Sequence, residues 1–284
     1  MRHSNLLPFS LLLPLAGCSL ISQPEPNATL VELAAQAQYE SQTYQTPSLK
    51  ELRTGDAEEL IAEILRECGH RDDGQQPESC DRATVDDAIS AAALDQRPGL
   101  ELFDVSASNI ANVATTAPQD AMPVIVQQVL DLVAAGSATP NTGAAELRMN
   151  KELKSQGISS EAVNADAEDA RSALKEEFAT RYALGVAQAY AEPGTAGAIA
   201  ELRAAHQSRI DLLESSLAPT EDVPVAEPAY EIAGTVPENP GSAAVLVDEL
   251  HQHMVDTYAH LAAQARTPSW RMFCLAMASQ SLRG

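Results

Sequence analysis

The chain has 284 residues, with 40 acidic against 18 basic residues and a formal net charge of −22. This acidic balance excludes a nucleic-acid-binding surface, which needs Lys and Arg to neutralise phosphates, and it excludes broad electrostatic docking on an anionic membrane. Apolar residues make up 45% of the chain, enough for a hydrophobic core, so we expect one or two folded domains.

The N-terminus has the pattern of a secretory signal. Residues 1–17 combine a short basic start with an apolar stretch from Leu6 to Ala16, too short for a membrane-spanning helix of about 20 residues. Leu15-Ala16-Gly17-Cys18 resembles the lipobox of bacterial lipoproteins. That resemblance implies cleavage before Cys18 and attachment of a diacylglyceryl group to its sulfur. The alternative is an ordinary secretory signal with an accidental cysteine.

Lipidation of Cys18 would fix the location of the mature chain. Acyl chains such as palmitate bury many methylene groups, and two chains together give stable anchoring. We therefore expect the protein on the outer face of the bacterial cell membrane, attached through the Cys18 anchor. Residues 18–29 contain two prolines and are expected to form a tether between the lipid and the fold.

The rest of the sequence predicts an all-α fold, because no segment alternates apolar and polar residues as a half-buried strand would. Residues 30–156 are expected to form a helical N-terminal region. Its predicted helices are Leu30 to Tyr44, Leu49 to Cys68, Asp86 to Leu94, Leu102 to Val113, Val124 to Ala135 and Ala144 to Gln156.

Two cysteines bracket a polar, turn-rich loop. In an oxidising compartment the spacing of Cys68 and Cys80 favours a local disulfide, which stabilises a fold by about 3 kcal/mol for so short a loop. A metal site formed by Cys68, His70 and Cys80 is the alternative, although zinc usually takes a fourth ligand nearby. Cys274 lies in an apolar helical stretch and is expected to be a buried thiol.

Residues 159–284 predict four helices interrupted by a long connection. The first helix runs from Ser159 to about Ala191, the second ends before Pro219, and residues 219–241 contain five prolines. Ser242 is expected to cap the third helix, and Thr267-Pro268 to open the fourth. Two helices, a long crossover and two further helices is the connectivity of a ferritin-like bundle.

Short motifs in this region resemble a ferritin-like family of unknown function that occurs in actinobacterial envelope proteins. They are Glu176-Glu177-Phe178-Ala179-Thr180-Arg181-Tyr182-Ala183-Leu184-Gly185-Val186, Ala205-His206-Gln207-Ser208-Arg209, Pro228-Ala229-Tyr230, and Glu249 with Tyr258. The resemblance covers about Glu168 to Gly284 and implies a ferritin-like four-helix bundle at residues 159–284. Residues 30–150 show no such resemblance.

A ferritin-like di-iron centre takes a glutamate from each of two helices and Glu-x-x-His from the other two. The candidate ligands for iron or manganese here are Glu177, His206, Glu249 and His253. This set is incomplete, because Arg203 stands where the second-helix motif requires Glu. The fourth helix offers no carboxylate at all.

Each candidate ligand also has a structural explanation. His206 fits a core histidine that is hydrogen-bonded to Glu177 across the helix pair. On the third helix Glu249, His253, Asp256 and His260 recur at helical spacing, which fits a solvated face.

The sequence contains no phosphate-binding glycine loop, nucleophile elbow or cysteine–histidine arrangement, so we predict no catalytic residue and no cofactor. We expect a non-catalytic, membrane-anchored envelope lipoprotein that binds a partner or helps assemble the cell wall. Its acidic helix faces would suit a basic protein partner. Two alternatives stay open, a metal-binding ferritin-like redox or storage protein and a helical carrier of a small apolar ligand between the two halves.

Overall fold

The computed structural model describes residues 24–94 and 103–283, which are helical and contain no strand. The all-α fold class is confirmed for these residues. The predicted signal peptide at 1–17 and the lipidation site at Cys18 lie outside them. The helices are α1 (Ala28–Thr43), α2 (Pro47–Cys68), α3 (Arg82–Leu94), α4 (Phe103–Val113), α5 (Met122–Ala134), α6 (Lys151–Ser155), α7 (Ser160–Tyr190), α8 (Pro193–Leu217), α9 (Pro240–Gln264) and α10 (Pro268–Arg283).

Side-chain caps place two helix starts earlier than the sequence predicts. The Asn27 side chain accepts hydrogen bonds from the backbone N–H groups of Thr29 and Leu30, at 3.0 and 3.2 Å, so α1 includes the last two residues of the predicted tether. Helix α9 is capped by Asn239. Ser242 is instead its third residue, and its hydroxyl accepts the Asn239 backbone N–H at 3.1 Å to complete a capping box.

The predicted helix at residues 144–156 shrinks to the five residues of α6. The preceding residues 144–150 are not helical, and the backbone N–H of Ala145 donates to the Ser216 hydroxyl of α8 at 2.7 Å. The Ala145 N–H is therefore satisfied by a side chain of a neighbouring helix instead of by a helical carbonyl. Local helix propensity does not predict such a contact.

The predicted disulfide is present and joins Cys68, the last residue of α2, to Cys80 before α3. Bonding between the two sulfurs excludes the alternative metal site with His70, because metal ligation requires free thiolates. The hydroxyl of Ser79 donates to the carbonyl of Pro24 at 2.7 Å, so the start of the described chain rests on this loop. Cys274 is buried, and burial raises the pKa of its thiol well above the ordinary value.

One hydrophobic core joins the N-terminal and C-terminal halves. Leu60 and Ile125 of the first half belong to the same cluster of buried apolar residues as Tyr258 and Trp270 of the second. Helix α5 packs against both α9 and α10. Helical periodicity alone does not predict whether the two halves share one core. None of the described helices is long and apolar enough to cross a bilayer.

A buried arginine links the two halves, and a carboxylate of α7 caps the start of α10. The Nη2 of Arg271 on α10 donates to Gln119 Oε1 at 2.5 Å and to the carbonyl of Ala265 at 2.6 Å. Burial lowers the pKa of Arg271. Its hydrogen bond to Gln119 links α10 to the turn before α5. Asp166 of α7 accepts the backbone N–H of Thr267 at 2.7 Å and so orients the start of α10.

The N-terminal half also contains a buried ionic cluster. Arg53 of α2 is fully buried, and its Nε donates to Glu40 Oε2 of α1 at 2.6 Å while its Nη1 donates to Asp56. Ser106 of α4 donates to Glu40 Oε1 at 2.9 Å. Two carboxylates thus share one guanidinium. Desolvation by burial raises the pKa of Asp56 to about 6, although the charge of Arg53 opposes the shift.

The pKa of Asp56 predicts a pH-dependent stability. Between pH 4 and pH 6 the folded state binds more protons at Asp56 than the unfolded chain, so the stability that this group contributes falls as pH rises. Replacing Asp56 with Asn should therefore shift the free energy of unfolding relative to wild type in favour of the variant by on the order of 2 kcal/mol between pH 4 and pH 7. Urea denaturation at both pH values measures the shift.

The matched control is Asp87→Asn, at an exposed position of α3. This variant should follow the wild-type pH dependence. An Asp56→Asn variant that differs from wild type by the same amount at pH 4 and pH 7 would contradict the buried, proton-binding carboxyl.

Candidate functional site

Helix α7 places one carboxylate, Glu177, in the interior of the C-terminal half, where it is fully buried. Nδ1 of His206 on α8 lies 2.5 Å from Glu177 Oε2, and the hydroxyl of Tyr258 on α9 donates to Glu177 Oε1 at 2.7 Å. Nη1 of Arg209, one turn further along α8, lies 3.9 Å from Glu177 Oε1. Side chains of two other helices therefore surround this carboxylate.

These contacts balance the buried charge. Arg209 is itself buried and supplies a positive charge next to Glu177. Burial, and then the negative charge of Glu177, raise the pKa of Tyr258 well above its ordinary value, so the phenol stays protonated and remains a donor. A buried carboxylate is tolerated only when it is paired and hydrogen-bonded in this way.

The structure separates the four residues that the sequence proposes as metal ligands. Glu177 and His206 are in contact, whereas Glu249 and His253 are exposed on α9. Glu249 accepts two hydrogen bonds, at 2.7 and 2.9 Å, from one threonine of the connection before α9. His253 Nε2 lies 3.2 Å from Glu176 Oε2. Within the described residues no group of three or more His, Cys, Asp and Glu is placed to hold a metal ion.

The arrangement around Glu177 does not fit an iron or manganese centre. Both oxygens of the carboxylate already contact protein side chains, and the guanidinium of Arg209 occupies the positive position beside it. The structural explanations are confirmed: His206 is a core histidine bonded to Glu177, and the third-helix stripe is a solvated face. The exposed members of that stripe are Glu249, His253, Asp256 and His260.

The connection between α8 and α9, residues 218–239, is called the crossover below and contacts the helices at several points. Thr235 is the threonine that donates to Glu249, through its backbone N–H and its hydroxyl. Gly234 precedes it with φ +111, and a Cβ there would lie 2.5 Å from Glu249 Oε2, so only glycine fits this approach. Further along, the ring of Tyr230 packs against Tyr182 of α7 with centroids 5.8 Å apart.

The crossover encloses a cavity of about 530 Å³ against α7 and α8, called the basic pocket below. One face of α7, whose residues recur at spacings of one to four positions, lines one side of the cavity, and α8 contributes a single arginine. The lining residues are Phe178, Arg181, Tyr182, Gly185, Val186 and Ala189 of α7, Arg203 of α8, and Ala226, Glu227 and Tyr230 of the crossover.

The two arginines of the basic pocket have no acidic partner. Among the described residues Arg181 makes no side-chain hydrogen bond or ion pair, and Arg203 donates only to Gln188 Oε1, at 2.9 Å. The Nε atoms of both are buried without an acceptor. Arg203 lies against α7 at Gly185, where a Cβ would be in van der Waals contact with its guanidinium, 3.4 Å from Cζ. Two such arginines are unexpected in a chain of charge −22.

A larger cavity, of about 840 Å³, lies where residues 147–149 meet α7 and the start of the crossover. Its main cation, Arg171, is engaged internally, because it donates to Glu168 Oε1 at 2.8 Å and to the carbonyl of Glu221 at 2.7 Å. Its second arginine, Arg148, is exposed to solvent, whereas the arginines of the basic pocket carry buried donors without acceptors, so the basic pocket is the stronger candidate for a ligand site.

Sequence reasoning missed the basic pocket. Arg203 stands out in the sequence only as a departure from the Glu-x-x-His motif, and Arg181 only as part of the first-helix motif. The available signal was the spacing of Phe178, Arg181, Tyr182 and Gly185, which places a cation and two aromatic rings on one face of a helix.

A family of unknown function matches the C-terminal part of the chain. Residues 169–283 match the family described as Domain of unknown function (DUF4439). A DUF4439 domain thus covers most of α7 and everything to the end of α10, and it contains both the Glu177 cluster and the basic pocket. No curated protein and no solved structure matches the chain.

The Glu177 cluster predicts a stability cost for losing one donor. Tyr258→Phe removes the hydroxyl that donates to Glu177 Oε1 and leaves a buried carboxylate oxygen short of a partner. The free energy of unfolding should fall by about 1–3 kcal/mol, as measured by urea denaturation. The control Tyr190→Phe, at an exposed position at the end of α7, should change it by less than about 0.5 kcal/mol. Equal stabilities of Tyr258→Phe and wild type would contradict the role assigned to this hydrogen bond.

Proposed function

We propose that this protein is a non-catalytic binding module of the bacterial envelope that takes an anionic ligand in the basic pocket. The observation that carries the proposal is the pair of half-buried arginines, Arg181 and Arg203, which face a cavity without a carboxylate partner.

Arg181 and Arg203 each carry a buried N–H donor that has no acceptor among the described residues. A buried N–H group without an acceptor costs about 1–3 kcal/mol, and buried polar groups in folded proteins are almost always paired. Guanidinium groups match phosphate and carboxylate oxygens in geometry and charge. An anion in the basic pocket would therefore supply the acceptors that Arg181 and Arg203 lack.

A ferritin-like four-helix arrangement of the DUF4439 domain is part of the proposal. Its support is the order of elements: α7 and α8 pack as one pair, α9 and α10 as another, α7 contacts α9, and the crossover joins the pairs. In this reading the interior position of a ferritin-like metal is taken by the internally balanced Glu177 cluster, and the ligand site has moved to the flank between α7, α8 and the crossover.

Attachment to the membrane through lipid on Cys18 is also proposed, on the strength of the lipobox resemblance at Leu15-Ala16-Gly17-Cys18. In a bacterial host that processes lipoproteins, Cys18→Ser should move the protein from the membrane fraction to the soluble extracytoplasmic fraction. Fractionation followed by immunoblotting measures this. Unchanged membrane association of Cys18→Ser would contradict the anchor.

Anion binding is tested by calorimetric titration of the purified protein with inorganic phosphate at low ionic strength. Arg181→Gln and Arg203→Gln should each weaken binding about tenfold, since each removes a charge-assisted contact. Glu227→Gln should strengthen binding two- to threefold, by roughly the amount that one exposed repulsive charge contributes, because Glu227 is the acidic residue among those lining the pocket.

The matched control is Arg71→Gln, which removes the same charge from the exposed disulfide loop. It should leave phosphate affinity unchanged. Loss of affinity in Arg71→Gln equal to that in the pocket variants, or no phosphate binding by the wild-type protein, would contradict the proposal. A gain in Glu227→Gln cannot come from damage to the fold, which makes it the most discriminating of the variants.

A further inference from the structure

The basic pocket has an apolar side as well as a cationic one. Phe178, Tyr182 and Val186 follow one another at four-residue spacing on α7, and all three are only half-buried although they line the cavity. Four-residue spacing puts successive side chains on the same face of a helix. Their remaining exposed surface is therefore gathered on one wall, where a ligand could cover it.

The crossover adds an aromatic ring in a fixed orientation beside that of Tyr182. Tyr230 of the crossover accepts the backbone N–H of Glu227 with its hydroxyl at 2.7 Å, and its ring is tilted by 56° against that of Tyr182. With the hydroxyl engaged on the backbone, the ring is what Tyr230 offers to the cavity. Tilted ring pairs leave an aromatic face or edge for a third ring to pack on.

The size of the pocket exceeds what a bare anion needs. A volume of about 530 Å³ is typical of sites for small organic molecules, whose range is roughly 300–1,000 Å³. An inorganic phosphate would engage the arginines and leave the apolar wall in water. A ligand that fills the pocket must carry a body beyond its charged group.

The positive charge of the basic pocket determines which charged group of a ligand fits it. Two guanidinium groups match the two negative charges of a phosphate monoester, which is largely dianionic at pH 7. A flat aromatic body attached to that phosphate would pack its ring against the half-buried rings of Phe178, Tyr182 and Tyr230.

We propose that the ligand of the basic pocket is an aryl phosphate, a phosphate monoester whose phosphate is held by Arg181 and Arg203 and whose ring packs on Phe178, Tyr182 and Tyr230. This assignment rests on the proposed anion-binding function and adds the chemical class of the ligand to it.

The test compares four probes by calorimetric titration of the purified protein: inorganic phosphate, phenyl phosphate, glucose 1-phosphate and phenol. Phenyl phosphate should bind at least about tenfold more tightly than inorganic phosphate, because burial of a ring adds apolar contact. Glucose 1-phosphate carries the same charge on a polar body of similar size and should not show this gain. Phenol lacks the anion and should not bind at the same concentrations.

Val186→Ser separates the apolar contact from the ionic one. This variant should lower the affinity for phenyl phosphate about threefold more than it lowers that for inorganic phosphate. The control Val245→Ser, an exposed valine of α9 outside the pocket, should affect neither.

The outcomes distinguish the two levels of the proposal. Equal affinities for phenyl phosphate, glucose 1-phosphate and inorganic phosphate would overturn the aryl phosphate assignment and leave anion binding intact. Tighter binding of glucose 1-phosphate would overturn it in favour of a sugar phosphate. Absence of binding by every phosphate probe would overturn both levels, and binding of phenol alone would show an apolar site without an anion requirement.

Discussion

The C-terminal half is organised around one buried carboxylate. Moving an isolated carboxylate from water into a protein interior costs several kcal/mol, so Glu177 can be buried only where other groups compensate it. Those groups are Tyr258 of α9 and His206 and Arg209 of α8. These groups come from two other helices, so compensating the buried carboxylate of Glu177 holds α8 and α9 against α7. The core that α9 and α10 share with α5 then extends this register to the N-terminal half.

The basic pocket follows from the same constraint. Glu177 lies four residues before Arg181, the spacing at which a glutamate and an arginine commonly pair on a helix surface. The carboxylate is instead turned inward to His206 and Tyr258, so Arg181 has no partner on its own helix. Arg203 lies against Gly185 of α7, and the crossover lines the same cavity as both arginines. Burying the negative charge thus leaves positive charge available to a ligand on the flank.

The sequence predicts those features of the structure that depend on neighbouring residues. It does not predict those that depend on contacts between residues far apart in the chain. Proline and glycine breaks and helical periodicity predict nine of the ten helices found in residues 24–94 and 103–283, and the spacing of Cys68 and Cys80 predicts the disulfide. The sixth helix is shorter than predicted because Ala145 bonds to Ser216, 71 residues away. The Glu177–His206 contact could be anticipated from facing helices, whereas the donor Tyr258 is 81 residues from Glu177 and no spacing rule connects them. The pocket arginines are recognisable as functional only once their lack of partners is visible.

The central claim is that the domain neutralises Glu177 with its own side chains and needs no bound cation to fold. Its most direct test is thermal and urea unfolding of the purified full-length protein, untreated, after exhaustive chelation, and after chelation followed by added iron or manganese. The account predicts the same free energy of unfolding in all three states. A marked loss of stability on chelation that either metal restores at one equivalent would contradict it.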